Sequence, residues 1–181
     1  MGAAVASSDS SKTVFLLRHA KSQRNDTDAA DFDRPLSGRG RRDAPRMGAW
    51  MGRQGLQPDL VLCSDAVRAR QTWEAAAPEL HSTAPVLFER ALYMASATAL
   101  LNRLRRLPDT VRSVLLIGHN PGLETLAIAL AGPDGSPELE RMRTKFPTSA
   151  LVRLDMALDH WRQLGPRAAR LTLFATPADL E

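Results

Sequence analysis

Three short apolar runs constrain this chain more than any other feature. Residues 14–17 (VFLL), 59–63 (DLVLC) and 111–117 (VRSVLLI) are rich in leucine and β-branched residues and show almost no polar alternation. A strand with one face in water alternates apolar and polar side chains, whereas one without that alternation is covered on both faces. Each run is followed by a segment with helical spacing or helix-start signals. The order strand, helix, strand, helix, strand, helix predicts an α/β fold with a parallel sheet between helices.

The connecting segments refine this. Ser37 is a plausible N-cap for a first helix, with Ala44, Met47, Trp50 and Met51 at helical spacing and Gly55 as its stop. Pro45 predicts a start near Ala44 or an irregular first turn. "DAVRARQTWEAAAPEL" reads as a helix, with Ser64 or Asp65 expected to cap it. A further short strand lies in "APVLFERALY". "SATALLNRLRRLPD" places Leu100, Leu101, Leu104 and Leu107 on one helical face. Asn120 is expected as the N-cap of the helix in "NPGLETLAIALAG", with Pro121 at its first position and Gly132 ending it. "PDGSPELERMRTKFPT" reads as a loop. "SALVRLDM", "HWRQL" and "ARLTLFAT" have strand character, and the last strands are expected as a hairpin at the sheet edge. The expected whole is a three-layer α/β/α sandwich, its central sheet mostly parallel with an antiparallel edge.

With 181 residues, 44% of them hydrophobic, and no repeat or linker, one domain suffices. The polar start "MGAAVASSDSSK" is expected as a disordered tail over 1–12, with a single domain over 13–181. It lacks the basic and apolar regions of a signal peptide, and Ala6 stands where a myristoylation signal needs Ser or Thr. No run approaches the roughly 18 apolar residues of a membrane helix, so no membrane contact is expected. The single cysteine, Cys63, excludes a disulfide framework and a thiolate zinc site within the chain and fits a reducing, cytoplasmic setting. The net charge of +4 is mild, and the 5% aromatic content shows no interleaving with basic residues, so no nucleic acid is expected as partner. A monomer is expected.

The chemistry is concentrated at strand tips. The first run ends in Arg18-His19, the second in Ser64 with Arg68 one turn into the next helix, and the third in Gly118-His119. In open α/β sheets ligands sit beyond the carboxyl ends of the strands, which brings Arg18, His19, Arg68 and His119 to one place. Arg68 in a first helical turn opposes the helix dipole, and a bound anion reverses that penalty. Arginine forks match phosphate oxygens, and helix N-termini add N–H donors. A neutral His19 with its other ring proton held on a backbone carbonyl would be a nucleophile, with Arg18, Arg68 and a protonated His119 stabilising the transferred phosphoryl group.

Other patterns fall away. His81 and His160 read as structural, and the arginines at 39, 41, 42 and 46 as a solvated face. Asp26, Asp28, Asp31 and Asp33 suggest calcium, but an EF-hand counted from Asp26 would need Gly and Glu where Asp31 and Ser37 stand. Cys63 lies four and six residues from Arg68 and Arg70 by intervening count, and neither spacing makes a cysteine-phosphatase loop.

"LLRHAKS", "SDAVRARQT" and "IGHNPG", in this order at three strand tips, resemble the histidine phosphatase superfamily, and most of all its small SixA-type phosphohistidine phosphatases. The resemblance runs from about residue 14 to the "FATP" near the end. It implies a phosphoglycerate-mutase-like fold and metal-independent chemistry with no cofactor. It implies His19 as the nucleophile and Arg18, Arg68 and His119 as the phosphate pocket. Asn25 and Ser22 fit substrate-contacting positions of the family's first motif, while Lys21 departs from the commoner acidic or amide residue and is expected to tune the substrate. Larger members carry an acid that protonates the leaving oxygen. Here the corresponding stretch, "VLFERALYMAS", holds one carboxylate, Glu89, as candidate general acid. A phosphorylated imidazole needs such an acid less than a sugar phosphate does. The expected function is therefore a phosphatase acting through phosphohistidine on His19, with phosphohistidine in a protein as its substrate. The alternatives are a broad small-molecule phosphomonoesterase and a non-catalytic phosphate- or phosphopeptide-binding module.

Overall fold

The computed structural model describes residues 11–24 and 30–180. Six strands form one sheet: β1 (Ser11–Arg18), β2 (Leu60–Ser64), β3 (Val86–Glu89), β4 (Ser113–Gly118), β5 (Leu151–Ala157) and β6 (Arg170–Ala175). Their order is β3-β2-β4-β1-β5-β6. β3, β2, β4 and β1 run parallel, while β5 is antiparallel to both β1 and β6. The mixed sheet with its antiparallel edge is the predicted architecture.

The missing alternation in the strands has its cause in two cores. Phe15, Leu17, Val61, Cys63, Leu115 and Ile117 face one side, where α1 (Gly38–Arg53) and α2 (Val67–Leu80) cover them. Val14, Leu16, Leu62, Val114 and Leu116 face the other, under α3 (Ala97–Leu104), α4 (Gly122–Ala131) and α5 (Pro137–Thr144). Successive strand residues thus feed opposite cores, and each fully buried large side chain stabilises by about 1.5–3 kcal/mol. No helix among the described residues is long and apolar enough to cross a membrane.

Several local expectations are corrected. β1 begins at Ser11, so the tail expected over 1–12 loses its last two residues. Lys12 is 2% exposed, and its Nζ donates to the carbonyls of Asp109 (2.5 Å) and Val111 (3.1 Å). Its stem buries while the ammonium finds acceptors. Helix α1 runs straight through Pro45 from a Ser37 cap, whose Oγ accepts from Gly40 N at 3.2 Å. The lost backbone bond is offset by burial of Ala44, Met47 and Met51 against α2. There Gly48 lets the helices meet: a Cβ on it would lie 2.2 Å from Ala76 O. The α2 cap position holds Ala66, not Ser64 or Asp65. Asn120 does not cap α4; its Nδ2 donates to Glu124 Oε2 (3.0 Å) and Phe146 O (3.3 Å). The segment read as a loop contains α5, capped by Ser136, with Leu139 and Met142 fully buried. "HWRQL" is a 3-10 turn at Trp161–Gln163 rather than a strand, because the indole of Trp161 is buried and donates to Val111 O at 2.9 Å.

Candidate active site

The parallel pairing of β1, β4 and β2 opens their carboxyl ends onto one crevice. Arg18 lies opposite Gly118 and Cys63 opposite Ile117, so the residues that follow are adjacent in space. His19 N donates to Gly118 O at 3.1 Å, which ties the two histidine tips together. Ala20 N donates to Thr72 Oγ1 at 2.9 Å, and the Thr72 hydroxyl donates to Arg68 O at 2.6 Å. This pair fastens the β1 tip to the first turns of α2.

Arg68 is the hub of the site. Its guanidinium is 2% exposed, with Nε 3.2 Å from His19 Nε2 and Nη2 3.4 Å from His119 Nδ1. Arginine only donates, so both ring nitrogens are acceptors and unprotonated. The remaining protons are then fixed. His19 Nδ1–H donates to Ala20 O at 2.7 Å, and His119 Nε2–H donates to Ser64 Oγ at 2.7 Å. The two rings stand 5.0 Å apart.

Burial sets their charge. Desolvation pushes His19 down to about 3, against the help of the Ala20 carbonyl and with the fields of His119, Arg68 and Arg18 adding to the shift. Desolvation and then Arg68 push His119 down to about 4. His19 is thus the neutral imidazole expected, with a lone pair on Nε2. His119 is neutral as well, which corrects the expectation of a protonated ring: burial, and then the positive charge of Arg68 beside it, disfavour a cationic imidazole.

Arg18 completes the cluster, its Nη1 donating to Phe146 O at 2.7 Å. Arg18 Nε and Ser149 Oγ are buried without a hydrogen-bond partner among the described residues. Ser149 holds a left-handed backbone (φ 61°), and its N–H reaches the carbonyls of Arg18 (3.0 Å) and His19 (3.2 Å). A tetrahedral oxyanion would give unpartnered donors of this kind their acceptors. Among the described residues, no three His, Cys, Asp or Glu side chains are grouped to hold a metal.

The other predicted residues lie differently. Asn25 falls outside the described residues. Lys21 is exposed, and its carbonyl accepts from Ser37 N (2.8 Å) and Ser37 Oγ (3.0 Å). Ser22 is buried in an isolated bridge with Leu36. Both residues anchor the start of α1. Glu89 ends β3 and is clasped by Arg103, through Nε to both carboxylate oxygens (3.0 and 2.9 Å) and through Nη2 at 2.6 Å. It does not join the cluster, since Arg103 occupies both of its oxygens. Cys63 is buried, and desolvation raises its thiol well above the usual range.

Sequence reasoning missed Ser64 as the partner of His119, Thr72, Ser149 and, above all, Asp31 with Tyr93. Asp31 Oδ2 accepts from Arg68 Nη2 (3.0 Å) and Tyr93 Oη (2.5 Å). Only the strand-tip placement of Ser64 was a signal in advance; the rest are brought in by tertiary packing.

The chain is similar to known proteins in sequence and in fold. The model of the Histidine phosphatase superfamily (branch 1) matches residues 14–93. The Mycobacterium tuberculosis protein Rv1276c is 39% identical over 163 residues, covering 89% of this chain and 99% of that protein. A solved structure assigned to phosphohistidine phosphatase SixA of Agrobacterium tumefaciens is 31% identical with a TM-score of 0.79, covering 92% of this chain and 98% of that one. At the level of fold alone, phosphoglycerate mutase of Plasmodium falciparum superposes with a TM-score of 0.60 at 15% identity, over 92% of this chain and 91% of its own.

Proposed function

Since the chain belongs to the histidine phosphatase superfamily and is a phosphatase, we propose that it acts through a covalent phosphohistidine on His19 and takes phosphate from phosphohistidine in a protein. The observation that carries this is the proton placement on His19. Nδ1–H is held by Ala20 O at 2.7 Å, and the Nε2 lone pair faces the Arg68 guanidinium at 3.2 Å. A pocket that only bound phosphate would gain more from a protonated ring there.

The phosphoryl group enters among Arg18, Arg68 and His119 and draws the arginine donors onto its oxygens. His19 Nε2 attacks phosphorus, and the electron pair of the breaking bond leaves with the substrate's ring nitrogen. The negative charge of the phosphoryl group beside His119 opposes the field of the arginines, so the neutral ring can accept the proton of a P–OH on Nδ1, donate it back to the transferring group, and release it with the departing phosphate. Water then attacks phosphorus, the electron pair of the P–N bond returns to Nε2, and inorganic phosphate departs with the oxygen of water. With Glu89 held by Arg103, no general acid is available from β3, which favours a leaving nitrogen over an alkoxide.

Trapping with a radiolabelled phosphohistidine peptide tests this. The expected result is an acid-labile, base-stable label on the protein that is absent from His19→Ala, while the variant still binds inorganic phosphate. Undiminished turnover by His19→Ala would refute the covalent route.

A further inference from the structure

Asp31 stands on the solvent side of the pocket. It opens the 3-10 turn Asp31–Asp33 between β1 and α1. Besides the bonds of Oδ2 to Arg68 and Tyr93, its Oδ1 accepts from Arg34 Nη2 at 2.7 Å and its backbone O from Arg68 Nη1 at 2.5 Å. One guanidinium therefore touches the nucleophile through Nε and Asp31 through both Nη atoms. His19 is 7% exposed, whereas the Asp31 side chain is 40% exposed. Among the described residues Asp31 supplies the only carboxylate hydrogen-bonded to Arg18, His19, Arg68 or His119.

The turn is braced rather than loose. Tyr93 sets its ring edge-on to His119 at 5.4 Å, Phe32 packs edge-on against Tyr93 at 5.0 Å, and Arg90 lies over Phe32 at 4.3 Å. The Tyr93 hydroxyl, with Arg68 and Arg34, holds the carboxyl below the usual carboxylate range, so it is an acceptor. In-line transfer sends the leaving group away from His19, outward past Asp31. An ionised carboxylate there cannot protonate a departing alkoxide. It can receive a leaving group that arrives carrying its own N–H.

We propose that the Asp31 carboxylate, once incoming phosphate has taken its place on Arg68, accepts the ring N–H of the departing imidazole and thereby selects phosphoramidates over phosphate esters. This rests on the proposed phosphohistidine substrate. In the step, the substrate imidazole is protonated on the nitrogen that does not bear phosphorus, and that N–H donates to Asp31. A bond forms between His19 Nε2 and phosphorus as the old P–N bond breaks. The electron pair of the old bond returns to the leaving ring, which departs as neutral imidazole still bearing the N–H. No further proton is required.

Wild type, Asp31→Asn and Asp31→Glu are compared on a phosphohistidine peptide and on 4-nitrophenyl phosphate, with folding checked by circular dichroism. Losing one charge-assisted hydrogen bond at the leaving group should lower kcat/KM on the peptide by roughly 10- to 100-fold in Asp31→Asn. The ester, whose leaving group needs no such partner, should change less than about threefold, and Asp31→Glu should recover part of the peptide rate. An equal loss on both substrates would mean that Asp31 only positions Arg68. An equal gain would mean that it only blocks the pocket. Either result overturns the selection role and leaves the phosphohistidine substrate standing. Wild-type turnover of the ester without the peptide overturns both, yet a His19→Ala loss on the ester would still uphold the covalent route.

Discussion

Acid should destabilise this protein through its two pocket histidines before most carboxylates titrate. In the folded chain His19 and His119 take up protons only near pH 3 and 4, against 6.5 for an unperturbed imidazole. Both folded values lie below the unfolded one, so the unfolded chain binds more protons as pH falls, and stability present above pH 6.5 is lost on acidification. Each group costs about 2 kcal/mol between pH 7 and pH 5, or about 4 kcal/mol for the pair, at a limiting slope of about 2.7 kcal/mol per pH unit. That is a large part of a typical domain's 5–15 kcal/mol. Urea unfolding followed by circular dichroism at pH 7, 6 and 5 reads the loss directly. His81 and His160 sit toward solvent, and the double variant His19→Asn, His119→Asn should flatten the curve. A wild-type loss below about 1 kcal/mol, or the same slope in the double variant, would refute the assignment of both rings as buried and neutral.

Two further variants separate the site from its scaffold. Ser64→Ala removes the acceptor of His119 Nε2–H, which should cost about 1–3 kcal/mol of stability and lower kcat on any activated phosphate; an unchanged melting point and rate would place no weight on that bond. Gly48→Ala puts a methyl 2.2 Å from Ala76 O and should part α1 from α2 at about 1–3 kcal/mol, read as a lower urea midpoint; an unshifted midpoint would contradict the close helix approach.

The parallel sheet was legible because its signal is local: an apolar run without alternation needs cover on both faces whichever residues provide it. The same holds for Ser37 as a cap. Less legible was α5, whose Ser136-Pro137 start and buried Leu139 and Met142 are masked by the Pro, Gly and charged residues around them. "HWRQL" misled because a short apolar-polar run does not distinguish a strand from a turn wrapped around one buried tryptophan.

The same division runs through the site. Arg18, His19, Arg68 and His119 could be read in sequence because backbone geometry alone sends the ends of parallel strands to one edge. Glu89 was the carboxylate in the suggestive position, but Arg103, fourteen residues further along the chain, claims it. Asp31 looked like one acid in a polar loop and reaches Arg68 only through contacts with residues 37 and 62 positions away. The sequence determined which side chains stand at the strand tips. Only the tertiary structure decided their protons and charges, because these depend on burial and on neighbours distant along the chain.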